Sequence, residues 1–204
     1  DLWMFPNCKI IHLSSQLCDL IEGNNSMQDI CDGEDNYRKA YIISRLHQES
    51  LLTAHAFKYG IETNFLRLPF VYGFNSDNDN PWVLNSIIRN YIKNYNVRLR
   101  NPNSFAWFLY KDSLTEFIRN FITSLYENKS SKKTVSYSIC PMLGIKVESL
   151  ADFITNCIEN KNTEYIRKAK EKLKKDTINK NIDINKEINS LQTTILKTYN
   201  YAKN

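Results

Sequence analysis

The stretch Tyr41–Pro69 reads YIISRLHQESLLTAHAFKYGIETNFLRLP. From Tyr41 to Lys58 it holds no Pro or Gly, and apolar residues recur at helical spacing. Tyr41, Arg45, Gln48 and Leu52 fall on one stripe, and Leu46, Thr53 and Phe57 line the next. Tyr59-Gly60 then stops the helix, with Gly in its usual place just past the end. Residues 62–68 return as a strand that Pro69 ends. Upstream, Lys9-Ile-Ile-His-Leu-Ser14 is a short apolar run closing on a pair of hydroxyls, which predicts a buried strand of a parallel sheet. A polar, Asp- and Asn-rich loop from about Glu22 to Asn36 separates this strand from the helix. Strand, helix and strand with a short return are the rhythm of an α/β sheet with crossover helices.

Further on, the periods shorten. The pattern predicts a helix from Trp82 to Asn94 and a short strand at Val97–Arg100 before Asn101-Pro102. A helix follows, N-capped by Asp112 and reaching Tyr126. Lys133–Ile139 alternates as a strand, Leu150–Ile158 and 163–175 read as helices, and Asn179–Asn185 as a loop. A last amphipathic helix spans Ile188–Tyr201. The expected organisation is two parts: residues 1–75 as the end of a parallel sheet, and 76–204 as a mixed region with a helical C-terminus.

Composition narrows the function classes. The chain has 204 residues, 42% apolar and 24% charged, as soluble globular proteins do. No run approaches 18 consecutive apolar residues, and no cationic stretch with an apolar core opens the chain, so neither a membrane span nor a secretory signal is expected. Five cysteines (Cys8, Cys18, Cys31, Cys140, Cys157) without a C-x-x-C read as reduced thiols of a cytoplasmic protein. Three histidines (His12, His47, His55) lack the spacing of a metal site. The net charge of +5 suggests nucleic acid, but residues 167–175 alone hold six cations against Glu171, which leaves the rest of the chain neutral. With no aromatic among them, these cations read as a solvated helix face, and a nucleic-acid partner is not expected.

Tyr41 and Arg45 carry the most chemistry. Four residues apart, they sit one above the other on a helix face. A fixed cation lowers a phenol's pKa from about 10 toward neutrality, and a phenol tuned that way can exchange a proton with a hydroxyl or ketone. Ser14 or Ser15, leaving the preceding strand, can hydrogen-bond the same oxygen. His47 and Glu49 lack the second histidine of a zinc protease and are expected at the surface.

Taken in order, the segments resemble the extended short-chain dehydrogenase/reductase family, the nucleotide-sugar epimerases and dehydratases. Lys9-Ile-Ile-His-Leu-Ser-Ser15 is similar to that family's strand ending in the catalytic Ser or Thr. Tyr41-Ile-Ile-Ser-Arg45-Leu-His-Gln-Glu49 is similar to its Tyr-x-x-Ser-Lys-x-x-x-Glu helix. Gly60 to Gly73, with Arg67-Leu-Pro-Phe-Val-Tyr72-Gly73, resembles the strand and turn that follow. Phe108-Leu-Tyr110-Lys-Asp112 resembles the Phe-Val-Tyr-Val-Asp-Asp stretch that opens a later helix, and Leu191-Gln-Thr-Thr-Ile195 its closing helix.

The resemblance implies the C-terminal part of a Rossmann-type parallel sheet with a small α+β substrate-binding domain. It also implies an NAD- or NADP-dependent epimerase/dehydratase or reductase that acts on a nucleotide-sugar. Tyr41 is then the acid/base, Ser15 its hydrogen-bonding partner and Arg45 the cation at the nicotinamide ribose, with Pro69 and Phe70 beside the cofactor. Asn80, Trp82, Asn85 and Arg100 line the substrate pocket, and a homodimer is expected through the Tyr-bearing helix.

At four places the sequence differs from that pattern. Arg45 stands for the family's lysine, Phe70 for an asparagine and Ala106 for a phosphate-gripping arginine. The five glycines form no dinucleotide fingerprint, and the chain opens just before the expected fifth strand of the sheet. An alternative reading follows: a catalytically inactive or truncated member that acts as a binding or interaction protein.

Overall fold

The computed structural model describes residues 8–19, 36–74, 83–93, 102–127, 134–159, 163–180 and 182–203. The expected 22–36 loop (up to residue 35) and the expected 97–100 strand lie outside these residues. The chain is α/β, with a parallel sheet and six helices among the described residues, and divides into two units: residues 1–69 with 117–140, and 70–116 with 141–204.

The first unit is a three-stranded parallel sheet. Strand β1 (Lys9–Ser15) pairs with β2 (Glu62–Leu68) from Lys9↔Glu62 to Ser15↔Leu68. Strand β5 (Val135–Ile139) pairs with β2 on its other side, from Thr63↔Val135 to Arg67↔Ile139. As the middle strand, β2 buries five successive residues, Thr63–Arg67. Parallel neighbours need a crossover, and α1 (Asn36–Tyr59) supplies it between β1 and β2. Among its described side chains Ile42, Glu49 and Ala56 are buried, two turns apart. Of the two expected stripes, Tyr41, Arg45, Leu46, Leu52 and Thr53 are half-buried, whereas Gln48 and Phe57 are exposed. Gly60, at φ +65°, ends α1, and the Ile61 amide donates back to the Ala56 carbonyl at 3.1 Å.

The second unit is a four-stranded mixed sheet in the order β3-β4-β6-β7, comprising β3 (Phe70–Tyr72), β4 (Phe105–Tyr110), β6 (Met142–Lys146) and β7 (Thr177–Lys180). β3 runs parallel to β4, and the other pairs are antiparallel. Trp107 lies opposite Gly144, where a Cβ would stand 2.8 Å from the indole. Helices α2 (Val83–Ile92), α4 (Val147–Glu159), α5 (Thr163–Lys175) and α6 (Ile184–Lys203) supply the rest of the core. Leu84, Ile88, Phe108, Leu143, Phe153, Ile154, Leu173, Leu191 and Ile195 bury together. Helix α3 (Lys111–Glu127) starts one residue before Asp112, so that aspartate sits in the first turn and not at the cap. Of the expected 179–185 loop, Asn179 and Lys180 belong to β7, paired to β6 as Leu143↔Asn179 and Met142↔Lys180, and Ile184 and Asn185 begin α6.

The cations of α5 have specific partners. Arg167 and Lys168 reach Glu164, Lys172 reaches Asp152, Lys174 reaches Glu171 and Lys170 reaches Asn189. Among the described residues, no helix is long and apolar enough to cross a membrane.

Candidate functional site

Strand β1 delivers two buried serines to its C-terminal end. Ser15 caps the 3-10 turn Gln16–Cys18, its Oγ accepting from the Leu17 amide at 3.2 Å. That bond uses an acceptor lone pair and leaves the Ser15 hydrogen to donate elsewhere. Ser14 Oγ lies 3.8 Å from the buried Cys18 Sγ.

Helix α1 packs on β1 and on this turn. On it, Tyr41 and Arg45 are both half-buried, and the guanidinium carbon sits 5.1 Å from the Tyr41 ring centroid. Arg45 Nη1 donates to Gln48 Oε1 at 3.2 Å. The expected pairing of phenol and cation is present, with the planar guanidinium over the ring face.

One turn further along, Glu49 corrects the expectation of a surface role: it is buried, 3% exposed. Arg67 of β2 grips it with two bonds, Nε to Oε1 at 3.1 Å and Nη2 to Oε2 at 2.7 Å. Arg67 Nη1 also reaches Asp19 at 2.7 Å, and the guanidinium lies 4.8 Å from the Tyr137 ring of β5. Because Tyr41, Arg45 and Glu49 recur every four residues, this bidentate pair fixes where the Tyr41–Arg45 stripe lies along β2. Register places Arg67 beside Ser14. His47 is exposed.

His12 of β1 turns its ring edge to Phe65, with centroids 5.8 Å apart, and its buried Nε2 has no hydrogen-bond partner. Burial first, then the Arg45 charge, hold its pKa below the ordinary histidine value, against a smaller opposing pull from Glu49. With Gln48, Leu51, Leu52 and His55 it lines a groove of about 360 Å³.

The remaining expected positions divide. Pro69 is buried at the end of β2. The Phe70 ring meets Phe108 edge-on at 5.4 Å and packs against the second unit's core, so it offers no polar atom to a ligand. Asn85 is half-buried on α2. Asn80, Trp82 and Arg100 lie outside the described residues. Ala106 packs against the core, Trp107 is half-buried and Phe105 is exposed. Sequence reasoning missed the carboxylate of Glu187, buried in the first turn of α6.

No family model matches the sequence, and no curated protein does. Solved structures do match. A UDP-N-acetylglucosamine 4-epimerase from Methanobrevibacter ruminantium, in complex with UDP-N-acetylmuramic acid, superposes with a TM-score of 0.57 at 15% identity, over 96% of this chain and 64% of its own. A UDP-glucuronic acid 4-epimerase from Bacillus cereus, in complex with UDP-glucuronic acid and NAD, gives 0.56 at 16%, over 97% and 64%. The capsular polysaccharide assembling protein CapF from Staphylococcus aureus gives 0.56 at 16%, over 94% and 42%. The chain thus spans less than two thirds of the length of each of these structures. Its fold resembles the C-terminal part of Rossmann-type epimerases.

Proposed function

We propose that this chain is the substrate-side portion of an NAD- or NADP-dependent epimerase/dehydratase or reductase acting on a nucleotide-sugar. The observation that carries this reading is the Tyr41–Arg45 stack on the helix packed against the strand that ends in Ser15. Tyr41 takes or returns the proton of a sugar hydroxyl. Ser15 donates its free hydrogen to the same oxygen and holds it in place. Arg45 keeps several N–H donors beyond the one on Gln48, enough for the hydroxyls of a nicotinamide ribose. When bound, the nicotinamide supplies hydride acceptance and return. No Gly-rich turn among these 204 residues fits its pyrophosphate, so on this reading that group is held by other sequence. Asn80, Trp82, Asn85 and Arg100 are proposed to contact the nucleotide-sugar, Pro69 and Phe70 to flank the cofactor by shape alone, and α1 to pair two copies in a homodimer.

The test is Tyr41→Phe. Turnover of a nucleotide-sugar is expected to vanish with the fold intact, since one hydroxyl is removed. Turnover that survives the change removes Tyr41 from the acid/base role.

A second reading is favoured by the guanidinium itself. A planar fork lying on the Tyr41 ring and tied to Gln48 differs from a compact ammonium, and it suits a member that binds its ligand without turning it over. That reading predicts nucleotide-sugar binding with no conversion in the unsubstituted protein.

A further inference from the structure

Tyr41 and Ser15 belong to two different elements of the first unit: Tyr41 to α1, and Ser15 to the start of the 3-10 turn Gln16–Cys18. Their relative setting depends on what joins that helix to that turn. Both elements pack against β2, and one β2 side chain, Arg67, bonds to each. On one arm, Nε and Nη2 donate to the two oxygens of Glu49 at 3.1 and 2.7 Å. On the other, Nη1 donates to Asp19 Oδ1 at 2.7 Å. Glu49 lies two turns, about 12 Å, along α1 from Tyr41. Asp19 closes the turn that Ser15 opens: its amide donates back to the Gln16 and Leu17 carbonyls, while Ser15 Oγ accepts from the Leu17 amide. Strand register sets Arg67 beside Ser14, the neighbour of Ser15. The guanidinium plane is restrained too, with its carbon 4.8 Å from the Tyr137 ring centroid.

The two arms differ in what they do. The Arg67 and Glu49 side chains are almost wholly buried, whereas Asp19 is more than half exposed. A bidentate pair shut off from water fixes both the slide and the rotation of α1 over β2. A single bond to an exposed carboxylate adds little to folding. It does hold the far end of the turn, whose Cys18 side chain is buried beneath it. A lysine in place of Arg67 would not serve both carboxylates, because an ammonium is a point charge without the planar fork.

We propose that Arg67 is a positioning residue that ties the Ser15 turn to the Tyr41 helix, and that its Asp19 arm sets Ser15 for the substrate oxygen. The assignment rests on the preceding reading for the roles of Tyr41 and Ser15.

The experiment compares wild type, Asp19→Asn, Asp19→Ala and a control, Glu164→Ala, which removes exposed ion pairs of the second unit. In the native-source polypeptide it reads hydrogen exchange in a peptide covering residues 12–19, the urea midpoint, and kcat and KM. The substrates are UDP-glucose, UDP-N-acetylglucosamine and UDP-glucuronate, each with NAD and with NADP. Asp19→Ala is expected to speed exchange in that peptide and to lower kcat by about tenfold or more, with KM and the urea midpoint little changed, since a displaced group costs rate and not ground-state binding. Asp19→Asn keeps an accepting oxygen for Nη1 and should fall between wild type and Asp19→Ala. Glu164→Ala should alter neither exchange nor kcat. Unchanged exchange in Asp19→Ala overturns the proposal, as does an unchanged kcat despite faster exchange. A wild type that converts none of the three sugars refutes the functional reading, and the positioning role falls with it; faster exchange in Asp19→Ala would then leave Arg67 as a tie of the architecture alone.

Discussion

Glu49→Ala isolates the contact that holds the Tyr41 helix to its sheet. The Glu49 and Arg67 side chains are 4% and 8% exposed, and the pair is bidentate. Asp19, the other carboxylate on Arg67, is 56% exposed. Removing Glu49 takes the bidentate carboxylate from a buried guanidinium, and losing one member of a buried pair costs about 3–5 kcal/mol. Removing Asp19 ends a bond that water can replace in part, at a cost of about 0.2–1 kcal/mol. With a urea m-value of about 2 kcal/mol per molar, the midpoint should fall by about 1.5–2.5 M for Glu49→Ala and by about 0.5 M or less for Asp19→Ala. Added salt should weaken only the Asp19 contribution, because the buried pair is poorly screened. Equal midpoint shifts for the two variants would refute the claim that the Glu49 bond, and not the Asp19 bond, anchors α1.

Other perturbations report on separate parts. Burial and Arg45 depress the His12 pKa, so the unfolded chain takes up a proton near pH 6.5 that the folded chain resists. Stability should therefore fall as pH drops below that value, and His12→Phe should flatten the slope measured by urea midpoints; an unchanged slope contradicts the assignment. Burial pushes the Cys140 and Cys157 thiols up to about 12. Both should resist iodoacetamide at pH 8 while half-buried Cys8 reacts, and stability should be lost as pH rises from the ordinary thiol value toward 12; mass spectrometry that finds Cys140 labelled as fast as in urea would contradict this. Gly144→Ala sets a Cβ 2.8 Å from the Trp107 ring and should cost about 1–3 kcal/mol by thermal denaturation, with a neutral effect contradicting the close packing.

The β1–α1–β2 crossover was legible because each signal was local: an apolar run ending in serines, a Pro- and Gly-free helix, then Gly60 and Pro69 as punctuation. The Tyr41–Arg45 contact was legible for the same reason, since four-residue spacing alone stacks two side chains. Glu49 was misjudged because its burial depends on Arg67, 18 residues on in another element. Glu187 was missed because Tyr72, Tyr110 and Ser113 meet it only through the tertiary fold. Strands β3, β4 and β6 escaped notice because short segments rich in aromatics or interrupted by glycine carry little period-2 alternation, and β7, Thr-Ile-Asn-Lys, is too short and polar to show any. The strand Val135–Ile139 was visible, but its place beside β2 is a long-range choice that no local pattern encodes.

The most direct test of the account is conversion of a panel of nucleotide-sugars by the native-source polypeptide with NAD and with NADP, wild type beside Tyr41→Phe. The account predicts conversion by the wild type and none by Tyr41→Phe, with both binding the sugar nucleotide. Equal conversion by the two proteins, or no binding by either, would contradict it.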